Sequence, residues 1–168
     1  PVPIWMKKKG GWRNYEIVRY FSLYVEKMVS EYPEVKYWVT LNEPEIYATN
    51  SYLRGIWPPQ NKSFFISSRV MMNFISAHKV AFKKIKKIRP EAQIGVAKNN
   101  IFFEGWLAPF ARWWWNRSFL DHIHRHYDFI GLNYYFQDKF SGFRYEQNKN
   151  YPNGIYHVLK ELKSYEKP

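Results

Sequence analysis

The sequence predicts an α/β fold in which short parallel strands alternate with outer helices, and three observations predict it. Apolar residues recur at helical spacing in stretches that end at prolines. Between those stretches lie short runs rich in β-branched and aromatic residues. The best defined run stops on Asn42-Glu43-Pro44, a polar triplet where a strand gives out. Parallel α/β folds keep their chemistry at strand ends, so this triplet is also the first candidate for function.

Taken in order, Pro1 to Trp12 reads as the tail of a preceding unit, closed by Gly10-Gly11. From Arg13 to Tyr32 the residues Ile17, Phe21, Tyr24, Val25, Met28 and Tyr32 share one helical face, and Pro33 ends the pattern. Val35 to Leu41 has the composition and length of a buried strand. Pro44 cannot continue a ladder and biases Glu43 away from the αR region, which fixes the direction in which the carboxylate leaves the strand. Held among Trp38, Tyr47 and Trp57, that carboxyl group would be partly desolvated, the setting of a general acid. Glu45 to Gln60, with Gly55, Pro58 and Pro59, is expected as a loop long enough to help wall a pocket.

Val70, Met71, Phe74, Ala77, Ala81, Ile85 and Ile88 form the stripe of a long amphipathic helix bounded by Pro90. His78 lies near its apolar face and reads as a core histidine with one satisfied nitrogen rather than a metal ligand. Gln93 to Ala97 gives a second strand, ending at Lys98, Asn99 and Asn100 before an aromatic loop. Trp113 to His126 is a helix with Phe119, Leu120 and Ile123 inward. Trp113, Trp114 and Trp115 point in three directions on it, which favours core packing plus a subunit contact over a sugar-stacking platform. Asp128 to Tyr135 is the third strand, Gln137 to Asn150 a polar loop, and Ile155, Val158, Leu159 and Leu162 mark a closing helix.

At 168 residues, 46% of them hydrophobic and 21% aromatic, the chain is one globular domain's worth. The absence of cysteine excludes disulfides and thiolate chemistry. His122 and His126 share a helical face, but no third ligand is spaced for them, so neither a metal nor another cofactor is expected. The formal charge of +12 comes from 26 basic against 14 acidic residues, much of it on outer helix faces. Without a nucleic-acid-binding motif it reads as a solvated surface. No run reaches the ~18 apolar residues of a membrane span, so no membrane partner is expected. The chain opens on Pro1 with no apolar stretch after a basic one, and a cytoplasmic chain is expected.

The stretch around the triplet carries a longer pattern: Thr40, Asn42, Glu43, Pro44, Ser51, Tyr52, Gly55, Pro58 and Pro59. It resembles the acid/base segment of family 1 glycoside hydrolases, the β-glucosidase family built on a (β/α)8 barrel. A second octet, Asp128-Phe129-Ile130-Gly131-Leu132-Asn133-Tyr134-Tyr135, is similar to that family's sixth barrel strand at every specified position. By this resemblance the chain is a partial (β/α)8 TIM barrel, about half a barrel, with parallel strands 4–6 and outer helices as a single half-barrel domain over 1–168. A whole barrel takes roughly 250 residues.

The resemblance further implies that Glu43 is the catalytic acid/base, that Asn42 holds the sugar's 2-hydroxyl, and that Asn99, Asn133 and Tyr135 line the substrate site, Tyr135 donating its phenol to a nucleophilic carboxylate. The implied reaction is retaining hydrolysis of a β-glucoside or related carbohydrate, which needs a second carboxyl group about 5 Å from the first. The family's Glu-Asn-Gly strand supplies it and has no counterpart here; Glu45 is too near in sequence to stand opposite Glu43. Two expectations follow for partners, a homodimer or a complementary barrel fragment, either of which would cover the open sheet edges. A catalytically inactive sugar-binding or structural remnant is the alternative.

Overall fold

The computed structural model describes residues 2–135, 137–141, 144–148 and 152–168. In chain order the elements are α1 (Ile4–Lys8), α2 (Glu16–Glu31), β1 (Tyr37–Asn42), α3 (Pro44–Ala48), α4 (Phe64–Ile88), β2 (Gln93–Asn99), β3 (Phe102–Gly105), α5 (Ala108–Ala111), α6 (Ser118–Ile123), β4 (Phe129–Asn133), β5 (Gln137–Ser141), β6 (Arg144–Asn148) and α7 (Gly154–Leu162). β1, β2 and β4 form a parallel sheet in that order. The crossovers run through α4 and through α5–α6, as parallel pairing requires.

The helices form where their stripes say they should. α2 buries Ile17, Val18, Val25 and Val29 and stops one residue before Tyr32-Pro33. α4 begins where the Ser63 hydroxyl accepts the Ile66 N–H at 3.4 Å, and it ends with Lys86 and Lys87 against its negative pole. Val18, Leu41, Val70, Phe74, Val96, Leu120 and Ile123 join in one core between the sheet and these helices. His78 is fully buried in α4 and tied at both nitrogens, Nδ1 to Thr40 Oγ1 at 2.6 Å and Nε2 to the His126 carbonyl at 2.5 Å. Both contacts run away from water, and burial pushes its pKa down to about 4.

The other face of the sheet is open. Tyr37 is 70% exposed and Val39 51%, and register places them with Gly95, Ala97, Phe129 and Gly131 on the face away from the helices. Gly95 has a specific reason here. A Cβ on it would stand 2.6 Å from the Phe129 ring, and its absence lets Tyr37 and Phe129 meet across the middle strand, centroids 6.1 Å apart. This is half a barrel, seen with its inner wall uncovered. On the β4 side, the Ile130 N–H donates to the Pro168 carbonyl at 3.0 Å, so the chain at that point runs where a neighbouring strand lies.

Three elements differ from expectation. The segment after Pro44 is not a loop but α3 running into a π-helical turn, Thr49–Leu53. The helix expected from Trp113 starts earlier, at Ala108, and is interrupted by a second π-helical turn, Arg112–Arg117. The aromatic loop after β2 and the polar stretch 137–150 contain strands: β3 pairs parallel with β5, and β5 antiparallel with β6. Within that stretch, residues 142, 143, 149 and 150 lie outside the described residues. α7 follows as expected, its Gly154 set against Tyr134 and Phe102 so closely that no side chain fits.

Candidate active site

The site is built at the carboxyl end of the parallel sheet, and one irregularity in β1 makes it. Val39 pairs with Gly95 but Asn42 pairs with Ala97, so three residues of β1 oppose two of β2. This β-bulge changes which face follows. Thr40 and Leu41 both turn to the helix layer, Thr40 to His78 and Leu41 into the core, and Asn42 returns to the inner face. Glu43 then takes a left-handed conformation, φ 47° and ψ 54°, which costs a non-glycine residue roughly 1 kcal/mol. Pro44 keeps it out of αR, and its backbone is fixed from both sides: its N–H donates to Ala97 O at 2.8 Å and its carbonyl accepts from Tyr47 N–H at 3.2 Å.

β4 brings the second half of the constellation. Asn133, level with Asn99 in the β2–β4 register, donates from Nδ2 to Glu43 Oε1 at 2.9 Å and to Asn42 Oδ1 at 3.3 Å. Tyr135 is hydrogen-bonded to Glu43, and the Glu43 charge raises the phenol's pKa. The resemblance led us to expect that phenol on a second carboxylate; in this chain Glu43 is its partner. Asn42, Glu43, Asn133 and Tyr135 thus converge, with Tyr135 57% exposed and open to a ligand.

Asn99 does not present its side chain in the same way. It is 2% exposed, and Trp115 Nε1 donates to its carbonyl at 2.9 Å and to Oδ1 at 3.3 Å. The expected aromatic cage is also different. Trp38 packs on the helix side with Val25, Ala81 and Ile85, Tyr47 packs on Tyr52 and Phe74, and Trp57 is 42% exposed. Trp38 is turned away because it is one residue from Val39 on a strand that alternates faces.

Beneath the site lies a pair that the sequence reading missed. Lys98 is fully buried and Glu45 4% exposed, and Nζ stands 2.9 Å from Oε2. Glu45 Oε1 accepts the Asn99 backbone N–H at 2.8 Å, and Lys98 Nζ donates to the Trp115 carbonyl at 3.1 Å. With the Trp115–Asn99 bond this closes a ring joining α3, β2 and the turn before α6. Burial raises the Glu45 pKa and lowers that of Lys98, each partly offset by the other's charge. Lys98 was detectable: it follows Ile94 and Val96 at period two on the helix-facing side, where a lysine needs an acid.

No group of three or more potential metal ligands occurs among the described residues. Parallel strands, outer helices and a carboxylate held by an amide and a phenol at the strand ends define a portion of a (β/α)8 barrel. Residues 1–109 match Glycosyl hydrolase family 1, and the chain belongs to that family. It is 26% identical over 199 residues to the 1,4-beta-D-glucan glucohydrolase of Thermotoga neapolitana, covering 96% of this chain and 46% of that protein. The beta-glycosidase from Pyrococcus horikoshii superposes with a TM-score of 0.87 at 27% identity, over 99% of this chain and 49% of that one. The beta-glucosidase from Thermotoga maritima in complex with deoxynojirimycin gives 0.84 at 25%, again over 99% and 49%. The chain spans about half the length of the relatives it matches.

Proposed function

We propose that these 168 residues supply the acid/base half of a retaining β-glycosidase site, with β-glucosides as substrates. The observation that carries the reading is the convergence of Asn42, Glu43, Asn133 and Tyr135 on the open inner face. In this reading Glu43 protonates the glycosidic oxygen as the bond to the leaving group breaks, then takes a proton from water in the second step. Asn42 holds the sugar's 2-hydroxyl. The nucleophilic carboxylate, about 5 Å away in a retaining enzyme, is assigned to the remainder of the barrel, which the relatives carry in the half of their length that this chain does not span. That remainder, or a second copy, also covers Tyr37 and Val39.

The test is complementation. The chain combined with a polypeptide carrying the other barrel strands should hydrolyse a nitrophenyl β-glucoside. Glu43→Gln should abolish most of that activity for alkyl glucosides, whose leaving groups need protonation, and spare activated aryl ones. Azide should partly rescue the variant on the activated substrate, as a small anion replaces the base. A Gln variant that cleaves alkyl and aryl glucosides as well as the parent would show that Glu43 is not the acid.

A further inference from the structure

The helix side of the molecule carries a surface that the proposed hydrolysis does not use. Phe65, Phe64, Trp114, Phe110 and Trp113 form a continuous row, with neighbouring ring centroids 6.1, 5.8, 6.3 and 6.3 Å apart. They are 84%, 52%, 44%, 62% and 46% exposed, and Met72, 52% exposed, borders them. At these exposures the five rings present roughly 500 Å² of apolar surface, as much as the largest patch on an ordinary monomer. Phe64, Trp113, Trp114 and Met72 line a groove of about 290 Å³ between α4 and the α5–α6 segment. These two connections cross over the middle of the sheet, whereas further barrel strands join at the edges formed by β1 and β4. Strands that extend the sheet therefore add away from the row.

The charges around the row select the occupant. The stretches that carry it, 53–72 and 106–118, contain no acidic residue and five basic ones; Arg112 is held by the Phe103 carbonyl and Arg117 by Tyr165, beside Asp121 and Glu161, which leaves Arg54, Lys62 and Arg69 as the cations offered to a partner. A second copy would bring its own +12. Single-stranded nucleic acid would use free ring faces, but Trp114 lies nearly parallel to Phe64 and Phe110, at 20° and 19°, so these faces turn toward one another. What remains outward is an apolar edge of Trp and Phe rimmed by cations, the composition of an interfacial anchor. We propose that this row docks the protein onto an anionic lipid bilayer surface, its rings at the headgroup level and Arg54, Lys62 and Arg69 on the phosphates. The expectation of no membrane partner rested on the lack of a spanning run, and no described helix is long and apolar enough to span; docking at the interface needs none.

The test uses the chain itself and phosphatidylcholine vesicles containing about one-third phosphatidylglycerol. The parent should float with these vesicles at physiological ionic strength, and tryptophan emission should be quenched by lipids brominated on the upper acyl chain. The triple variant Phe64→Ser/Phe110→Ser/Trp114→Ser, which keeps every charge, should bind at least about tenfold more weakly. Trp113→Phe/Trp114→Phe should bind like the parent yet lose most of the quenching. If far-UV dichroism shows the triple variant unfolded, the single change Phe65→Ser should still weaken binding about threefold. Undiminished binding by the folded serine variants would mean that surface charge alone holds the vesicle and would overturn the proposal. So would failure of the parent to bind. A dimer dispersed by the same substitutions in sedimentation, or an oligonucleotide shift abolished by them, would reassign the surface.

Discussion

Removing one member of the buried Glu45–Lys98 pair should destabilise the chain far more than removing both charges. Lys98→Met leaves a carboxylate at a 4% exposed position with one N–H, from Asn99, still donating to it. Glu45→Gln leaves an ammonium with no exposure and one carbonyl, that of Trp115. Breaking such a pair from one side costs about 3–5 kcal/mol, a large share of a domain's stability, whereas a matched neutral pair is often neutral or better. For a chain of this size the single changes should lower Tm by about 6–20 °C, and Glu45→Gln/Lys98→Met should recover most of it. The survivors should also carry opposite pH signatures. Burial raises the Glu45 pKa, so without Lys98 the stability it retains is present in acid and lost as pH rises. Burial lowers that of Lys98, so without Glu45 stability is lost as pH falls and returns toward alkaline pH. Urea melts of the four proteins at acidic, neutral and alkaline pH check both points. Additive losses, or parallel pH profiles for the two single variants, would refute the pair as described.

Three further outcomes follow from other contacts. Because burial holds His78 at about 4 against 6.5 when unfolded, its contribution is complete above pH 6.5 and is lost as pH falls toward 4, about 3 kcal/mol in all and about 2 by pH 5; His78→Gln should flatten that part of the urea-midpoint profile. Gly154→Ala drives a methyl group into Tyr134 and Phe102 and should cost about 1–3 kcal/mol by thermal melt, with Tyr134→Phe restoring part of it by removing the hydroxyl. Asn133→Ala removes the donor to Glu43 and should lower kcat of the complemented enzyme about tenfold to hundredfold, the worth of a hydrogen bond to a charged group, while leaving Tm within a few degrees.

The order of the helices and parallel strands was legible because it rests on period and punctuation: the α4 stripe ends at Pro90, and the β1 run at Pro44. The convergence of Asn42, Glu43, Asn133 and Tyr135 followed from two motifs matched over their length. What was not legible depends on facing and register. Trp38 and Glu43 are close in sequence, yet alternation along β1 sends the tryptophan to the helix layer. Asn99 stands level with Asn133 but is claimed by Trp115, whose placement comes from a π-helical turn that residue types did not signal. The β5–β6 pair reads as a loop because its residues are mostly polar and carry no sustained apolar alternation.

The extra residue between Val39 and Asn42 works as a counter as well as a bend. What it counts is chain length, not side-chain type. An isosteric replacement at Leu41 changes packing by a fraction of a side chain, and deleting Thr40 or Leu41 restores a regular ladder with Asn42 still level with Ala97. Inserting a residue there instead carries Asn42 one position further along and turns it into the helix layer. Sequence drift along this strand can therefore be broad in composition, while an added residue displaces the site and a lost one costs packing, either the Thr40 contact to His78 or Leu41 in the core. In a library of variants, activity should tolerate many substitutions at residues 38–41 and no residue added among them.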